Sequence, residues 1–317
     1  MGSNNTKTAI LFPGQGSQFV GMGKEFLDSD PAAAELMALA ESVSGFPLRQ
    51  LCTEGPLEEL TRAVHLQPAL TAINLICWQV LRQAGIGADF FAGHSLGEYS
   101  ALCAAGVLTP EDTLALVIER GRLTEREGRK NPGGMLAVLG LVYDEVEELI
   151  AGLRKEGVIT AANHNAEKQV VISGEHTVLE KAASLVSQQG GRAIPLNVSV
   201  ANHSPLVADA VPDFEQFMNR IDFKPPATPV LFNVTADQEN DTGNIRRMMV
   251  SQITSRVRWF EIIRNLLAAD VRVFIEVGPK TVLSGLLRKI VPKGYEYQRF
   301  QVDSPEKVQK VVEMLHP

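Results

Sequence analysis

The motif Gly-His-Ser-Leu-Gly at positions 93–97 constrains the fold of this chain more than any other feature. A short, mostly apolar run at 88–92 precedes it, and a segment of helical character at 98–105 follows it. Gly-x-Ser-x-Gly between a strand and a helix is typical of a nucleophile elbow, a strained turn that lifts the serine hydroxyl clear of a sheet. The same pattern also occurs by chance in loops, but the strand–turn–helix context favours the elbow. The motif therefore predicts an α/β protein with Ser95 as a nucleophile.

Two loops can supply the hydrogen-bond donors that a serine nucleophile needs for its oxyanion. The backbone N–H of Leu96 follows the serine at the start of the helix, where the helix dipole favours negative charge. The loop at 13–18 follows a predicted strand at 8–12, and open α/β sheets place their sites at the carboxyl ends of strands. That loop is not a dinucleotide-binding fingerprint, because Phe19 stands in place of the third glycine. We expect one of its N–H groups to be the second donor, with a plain turn as the alternative.

A different rhythm of strands and helices begins after residue 130. Its order is βαββαβ, which is the ferredoxin-like unit. We therefore predict an α/β fold with a large α/β-hydrolase-like body at 5–130 and 199–317 and an inserted small ferredoxin-like subdomain at 131–198. The predicted strands of the insert are 135–141, 158–162, 169–173 and 192–198, and its predicted helices are 143–153 and 177–189.

Charge and hydropathy exclude several classes of protein. The formal net charge is -7, whereas nucleic-acid binding needs a basic face, so nucleic acid is not expected as a partner. No uninterrupted apolar run approaches the roughly 18 residues of a membrane-spanning helix, and the N-terminus lacks a secretory signal pattern. The three cysteines form neither a CxxC pair nor a metal-ligand cluster. We expect a monomer in the reducing cytoplasm that uses no membrane, metal or other cofactor.

A serine hydroxyl is a poor nucleophile and needs a general base, most often a histidine. His203 lies where the chain leaves the predicted insert and re-enters the body, at a hinge facing the cleft, and we predict that it is the base. His94 adjoins the nucleophile and is the next candidate. No acidic partner for the histidine is evident in the chain. The other four of the six histidines are His65, His164, His176 and the terminal His316.

Several sequence blocks resemble a known family. They occur in the family's order from about residue 8 to residue 290 and are FPGQGSQFVGMG, GHSLGEYSAL, VIERG, ANHNAEKQVVISG, VANHSPL, RVRW and FIEVGPKTVLSGLLRKI. The chain is similar in these blocks to the malonyl-CoA:acyl-carrier-protein transacylases and to the acyltransferase domains of polyketide synthases, which share their fold.

The resemblance implies a role for each matching position. Guanidinium suits a carboxylate clamp because it is always charged and can donate two parallel hydrogen bonds. The implied roles are Ser95 as the acylated nucleophile, His203 as its base, the N–H groups of Gln15 and Leu96 as the oxyanion hole, Arg120 as the ligand of the malonyl carboxylate, and the backbone carbonyl of Arg258 as the group that orients the imidazole.

Two departures from the family pattern concern acyl selectivity. Thr124 and Glu125 stand where the family often has Met-Gln, and Asn202 stands where it often has Ser or Phe. The resemblance implies that Thr124 and Asn202 line the acyl pocket and influence which acyl groups bind there.

The implied reaction is transfer of a malonyl group from malonyl-CoA to the phosphopantetheine thiol of an acyl carrier protein. It proceeds by a ping-pong exchange through the acyl-serine, with the coenzyme A thioester as a substrate and no cofactor. The product feeds fatty-acid or polyketide synthesis, and a polyketide-synthase trans-acyltransferase is one alternative. A thioesterase or acyl hydrolase on the same scaffold is another, and a non-catalytic docking subunit is a third.

Docking of a carrier protein, which is usually acidic, needs a local basic patch on this acidic chain. Ordinary solvated surface charge is the alternative interpretation of each basic residue. Two groups are candidates for the patch: Arg122, Arg126, Arg129 and Lys130 just after Arg120, and Lys280, Arg288 and Lys289 near the C-terminal helix.

Overall fold

The computed structural model describes residues 6–198 and 200–315. These residues form an α/β fold with two separate sheets, which confirms the predicted fold class. The strands are β1 (Lys7–Phe12), β2 (Phe90–Gly93), β3 (Gly134–Leu139), β4 (Ile159–Ala166), β5 (Gln169–Gly174), β6 (Arg192–Pro195), β7 (Val230–Leu231), β8 (Val271–Val277) and β9 (Gln298–Val302). The helices are α1 (Lys24–Ser29), α2 (Pro31–Ser44), α3 (Leu48–Thr53), α4 (Leu57–Thr61), α5 (Ala63–Gln83), α6 (Gly97–Ala104), α7 (Pro110–Lys130), α8 (Tyr143–Ala151), α9 (His176–Gln188), α10 (Ala210–Met218), α11 (Thr242–Ser251), α12 (Trp259–Ala268), α13 (Val282–Ile290) and α14 (Pro305–Leu315), with a 3-10 turn at Pro205–Val207.

The larger sheet is parallel, with the strand order β7-β2-β1-β8-β9. In β1, Ile10 and Phe12 pack into the core on one face, and Ala9 and Leu11 pack into the core on the other. Burial on both faces is typical of parallel sheets covered by helices. β1 and β2 end in register, because Phe12 pairs with Gly93, so the loops that follow them leave the sheet side by side.

Helix α5 is more apolar than α7, the other helix of 21 residues. Among the described residues, α5 is the one helix whose length and composition alone would allow it to cross a membrane. The uninterrupted apolar runs in the sequence did not indicate it. However, 83% of its apolar window is buried inside the protein, which is typical of a core helix. Three polar side chains are fully buried along one face of α5, at Gln67, Thr71 and Asn74.

The smaller sheet is antiparallel, with the strand order β4-β5-β3-β6. Its elements follow one another as β3, α8, β4, β5, α9 and β6, so the predicted βαββαβ order is confirmed. Helices α8 and α9 cover one face of this sheet, which carries buried strand residues such as Val138 and Ile172. The other face carries Met135, Ala137 and Val171, and it lines a cavity. The predicted domain boundaries at 130/131 and 198/199 stay a prediction, and their positions 5, 199, 316 and 317 lie outside the described residues.

Beside that cavity, backbone hydrogen bonds connect strand β4 of the smaller sheet to the segment before α12. The N–H of His164 in β4 donates to the carbonyl of Val257 at 2.8 Å, and the N–H of Val257 donates to the carbonyl of Ala162 at 2.8 Å. Val257 lies two residues before the start of α12 in the larger body. The cavity is therefore formed between two parts of the chain that are tied together at its edge.

Candidate active site

Ser95 stands at the turn between β2 and α6, with a backbone φ of 51°. This left-handed conformation is rare for a residue with a side chain and is typical of a nucleophile elbow. The flanking glycines are required by close packing. A Cβ at Gly93 would lie 2.0 Å from the carbonyl carbon of Gly97, and a Cβ at Gly97 would lie 2.1 Å from the carbonyl oxygen of Phe12. The elbow thus brings the start of α6 against both neighbouring strands.

The side chain of Asn233, which follows β7, braces the elbow. Its Oδ1 accepts from the N–H of Ser95 at 2.7 Å, and its Nδ2 donates to the carbonyl of Gly93 at 2.7 Å. Asn233 is fully buried, so these bonds are shielded from water. The brace therefore holds the backbone on both sides of His94, where the chain enters the strained turn.

His203 is paired with the serine. Its Nε2 lies 2.7 Å from the Ser95 Oγ, and its own φ is 58°. Burial lowers the pKa of His203 to about 3, and the positive charge of Arg120 adds to this effect. A neutral imidazole is the form that can accept the hydroxyl proton, so this histidine is suited to act as a general base.

The orientation of His203 is set by two backbone carbonyls. Its Nδ1 lies 2.9 Å from the carbonyl oxygen of Gln252 and 2.9 Å from that of Ser255. Because carbonyls only accept, Nδ1 carries the ring proton and Nε2 presents its lone pair to Ser95. Both carbonyls follow the last turn of α11, where helical partners run out, and the Gln252 carbonyl also accepts from the N–H of Ser255 at 3.3 Å.

The prediction that the Arg258 carbonyl orients the imidazole is wrong. That carbonyl accepts from the N–H of Ile262 in the first turn of α12, where Arg258 is the N-terminal flanking residue. Its guanidinium lies next to Glu261 and the carbonyl of Thr235. The expected type of group is present, but Gln252 and Ser255 supply it.

Arg120 projects from α7 to the floor of the site and is 4% exposed. One guanidinium nitrogen donates to Gln67 Oε1 at 2.9 Å. The other lies 3.4 Å from the Ser95 Oγ and 3.5 Å from Gln252 Oε1. These partners are neutral, and among the described residues no carboxylate bonds directly to the guanidinium that faces the nucleophile, although the charge of Glu98 acts on it from behind the elbow.

A cavity of about 500 Å³ opens above these side chains. Its lining includes Gln15, Leu96 and Asn202. Among the described residues, neither the N–H of Gln15 nor that of Leu96 donates to a protein acceptor, so both are available to an oxyanion. Thr124 does not line the cavity, contrary to the prediction. It is buried on α7, one helical turn beyond Arg120.

Four buried residues that support the site were not identified from the sequence. Their partners are remote in the chain, and local signals existed for only two of them, a charged residue directly after the elbow motif at 98 and a polar residue within an apolar helix at 67. Three of them are introduced above, Asn233, Gln252 and Gln67, and the fourth is Glu98 in the elbow's own helix.

The other histidines lie elsewhere or have other partners. His94 Nε2 lies 2.8 Å from Asn165 Oδ1, which ties the residue beside the nucleophile to the smaller sheet. His65 contacts the carbonyl of Glu59, and His164 lies next to Glu261. His316 is outside the described residues. His203 is thus the histidine that the fold brings to Ser95.

The Ser95 hydroxyl, which the elbow lifts clear of the sheet, lies beside the neutral imidazole of His203, and this pair is suited to acyl transfer. The fold and the site together define a serine acyltransferase. Comparison with known proteins agrees, since residues 10–314 match the family described as acyl transferase domain. The chain belongs to this family and, within it, to the malonyl-CoA:acyl-carrier-protein transacylases.

Three relatives illustrate the similarity. The chain is 38% identical over 312 residues to the malonyl CoA-acyl carrier protein transacylase of Bacillus subtilis, with 98% of each chain covered. It is 42% identical over 287 residues to the polyketide biosynthesis protein ThaF of Burkholderia thailandensis, which covers 90% of this chain and 24% of that longer protein. A solved complex of the malonyl-transacylase PlMCAT with AntF, a type II polyketide synthase acyl-carrier protein, matches with a TM-score of 0.93 at 33% identity, covering 98% of this chain and 100% of the other.

Proposed function

We propose that the chain transfers malonyl groups from malonyl-CoA to the phosphopantetheine thiol of an acyl carrier protein, with Ser95 as the covalent carrier. The observation that supports this most directly is the buried Arg120 guanidinium, 3.4 Å from the Ser95 Oγ. No carboxylate among the described residues bonds to this cation directly, so it is available to a substrate carboxylate, and malonyl carries one beyond the methylene group of its thioester. The names of the relatives point to the same substrates.

In the first half-reaction the Ser95 Oγ attacks the thioester carbonyl carbon, and its proton passes to His203 Nε2. The carbonyl oxygen becomes an oxyanion that accepts from the N–H groups of Gln15 and Leu96. When the carbon–sulfur bond breaks, the imidazolium returns the proton to the leaving coenzyme A sulfur. Malonyl is left as an ester on Ser95, with its free carboxylate at Arg120.

The second half-reaction runs these steps in reverse with a different thiol. His203 takes the proton of the phosphopantetheine thiol, and the thiolate attacks the malonyl ester. The Ser95 oxygen leaves and recovers the proton from the imidazolium. The balance of atoms and charge is complete with these residues, so we propose that no metal or organic cofactor takes part. We expect the protein to keep full activity after dialysis against EDTA, which tests directly whether a metal is required.

Release of malonate to water is the competing outcome on the same scaffold. A mixture of the enzyme and malonyl-CoA distinguishes the two when the intact protein mass and the free acid are both measured. A persistent malonyl adduct supports transfer, whereas free malonate without an adduct supports hydrolysis.

The similarity to ThaF makes a carrier protein of polyketide synthesis the alternative to one of fatty-acid synthesis. We further propose that the protein acts as a monomer in the cytoplasm, which a sedimentation measurement and cell fractionation test.

A further inference from the structure

Glu98 is buried behind the elbow and has no contact with the cavity. It lies on α6 and is 1% exposed. Both carboxylate oxygens accept hydrogen bonds: Oε1 accepts from the N–H of Asn233 at 2.6 Å, and Oε2 accepts from Gln252 Nε2. The acyl-transfer steps above make no use of this carboxylate.

The two partners of Glu98 hold the reacting groups. Asn233 binds the elbow through the Ser95 N–H and the Gly93 carbonyl. Gln252 donates to the Ser95 carbonyl at 2.9 Å, and its own backbone carbonyl accepts from His203 Nδ1. The Gln252 Oε1 is also the acceptor 3.5 Å from Arg120. One carboxylate therefore bonds to both residues that hold the nucleophile, the base and the arginine, to Asn233 through its backbone N–H and to Gln252 through its side-chain amide.

We propose that Glu98 is a positioning residue for acyl transfer, which keeps Ser95, His203 and Arg120 aligned through Asn233 and Gln252. Among the described residues no carboxylate bonds to the His203 imidazole, and Glu98 acts on it through Gln252. The inference rests on the proposed transferase function.

The ionised form of Glu98 is the one that fits this role, because both oxygens must accept. Burial raises the pKa of Glu98 to about 7, against the lowering effects of the two donors and of the Arg120 charge. The surrounding titratable groups are Tyr99 beside it on α6, Arg120 from α7, and, through Gln252, His203. Below about pH 7 the carboxyl gains a proton and can no longer accept at both oxygens, so alignment and acylation rate fall as the pH falls. Above it they are complete.

The variant Glu98→Gln tests the proposal, because the amide mimics the protonated acid and replaces one acceptor with a donor. We expect the single-turnover acylation rate with malonyl-CoA to fall about 10- to 150-fold at pH 8, the effect of losing one charge-assisted hydrogen bond. The acylation rate of the wild type should fall below about pH 7. The rate of Glu98→Gln should not change with pH in this range and should equal the wild-type rate at acidic pH.

Glu276→Gln is the matched control. Glu276 is also a 1% exposed carboxylate, and it also accepts two N–H bonds, from Leu283 at 2.8 Å and Ser284 at 2.7 Å. It should lower stability without changing the rate per folded molecule or the pH profile. Wild-type acylation in Glu98→Gln, or an equal loss in Glu276→Gln, would overturn the proposal.

A second variant decides the matter if Glu98→Gln does not fold. Gln252→Ala keeps the backbone carbonyl at His203 but removes the amide that Glu98 holds. The proposal is supported if Gln252→Ala acylates slowly and its rate no longer decreases at acidic pH. It is overturned if the variant keeps both the wild-type rate and the wild-type pH dependence. Failure of the proposed function itself is recognised separately, because the wild-type protein would then form no malonyl adduct.

Discussion

At Ser95 and His203 the backbone φ angles are 51° and 58°, in the region that favours glycine. Each such residue costs roughly 1–2 kcal/mol, and hydrogen bonds to the same backbone offset the cost. The Ser95 N–H donates to Asn233, and the His203 N–H donates to the carbonyl of Ile253 at 3.1 Å. The result is a nucleophile and a base aimed at each other from segments that are 108 residues apart in the chain.

Arg120→Ala should change which acyl group the enzyme prefers. The malonyl carboxylate would lose a charge-assisted partner in a buried site, which costs roughly 1.5–3 kcal/mol, or about 10- to 150-fold in kcat/KM. Acetyl-CoA has no carboxylate and should lose nothing. The measurement is the ratio of kcat/KM for malonyl-CoA to that for acetyl-CoA.

Arg122→Ala is the control for this prediction. Arg122 lies on the same helix, is exposed, and pairs with Glu119. Its removal should leave the ratio unchanged. A ratio that stays at the wild-type value in Arg120→Ala would remove the main reason for assigning malonyl as the substrate.

His203→Ala should slow acylation of Ser95 by about 10²- to 10⁴-fold, because it removes the general base. Binding of malonyl-CoA should persist, since the cavity and Arg120 are unchanged, and quenched-flow acylation with a separate binding titration measures both. His164→Ala, which removes a histidine without contact to Ser95, is the control. Near-normal acylation would transfer the role of base to His94.

At the scale of elements, the site is formed by segments that a local sequence pattern cannot join. The elbow was predictable because its strand, turn and helix are continuous, and both close-packed glycines are part of the motif. The contacts of Gln252 with Ser95 and Glu98 span 157 and 154 residues, so spacing alone could not identify them. The resemblance assigned the orienting carbonyl to Arg258, whereas the carbonyls that contact His203 belong to Gln252 and Ser255, a few residues earlier in the chain.

Asn233→Ala should destabilise the junction between β7 and the elbow. The substitution leaves the Ser95 N–H and the Gly93 carbonyl buried without partners, at about 1–3 kcal/mol for each group. We expect the free energy of unfolding to fall by roughly 2–4 kcal/mol, together with a loss of acylation. Denaturant titration measures the first effect, and Asn219→Ala at an exposed position is the control. Equal stability of the two variants would show that Asn233 does not brace the turn.

At the scale of the whole molecule, the structure separates the two groups of basic residues considered for docking. The first group is neutralised locally, since Arg122, Arg126, Arg129 and Lys130 pair with Glu119, Asp213, Glu125 and Asp209. Arg288 and Lys289 lie in the last turn of α13, the helix whose Leu283 and Leu286 line the cavity. This second group is the better candidate for an acidic carrier protein.

The double variant Arg288→Glu with Lys289→Glu should raise the Michaelis constant for the carrier protein on the order of tenfold at low salt, with a smaller effect at high salt. The constant for malonyl-CoA should change little. Lys130→Glu is the control, and it should affect neither constant. Equal effects of the two charge changes on the carrier protein would place docking elsewhere on the surface.

The central claim is that Ser95 carries the acyl group between two thiols, and a chase experiment tests it most directly. The malonyl-enzyme is formed with malonyl-CoA, freed of coenzyme A, and mixed with a carrier protein that bears its phosphopantetheine. The account predicts that the intact mass of the enzyme falls by one malonyl group while that of the carrier protein rises by the same amount, and that Ser95→Ala never gains the group. A malonyl adduct on Ser95→Ala, or an adduct that decays to free malonate and leaves the carrier protein unmodified, would contradict it.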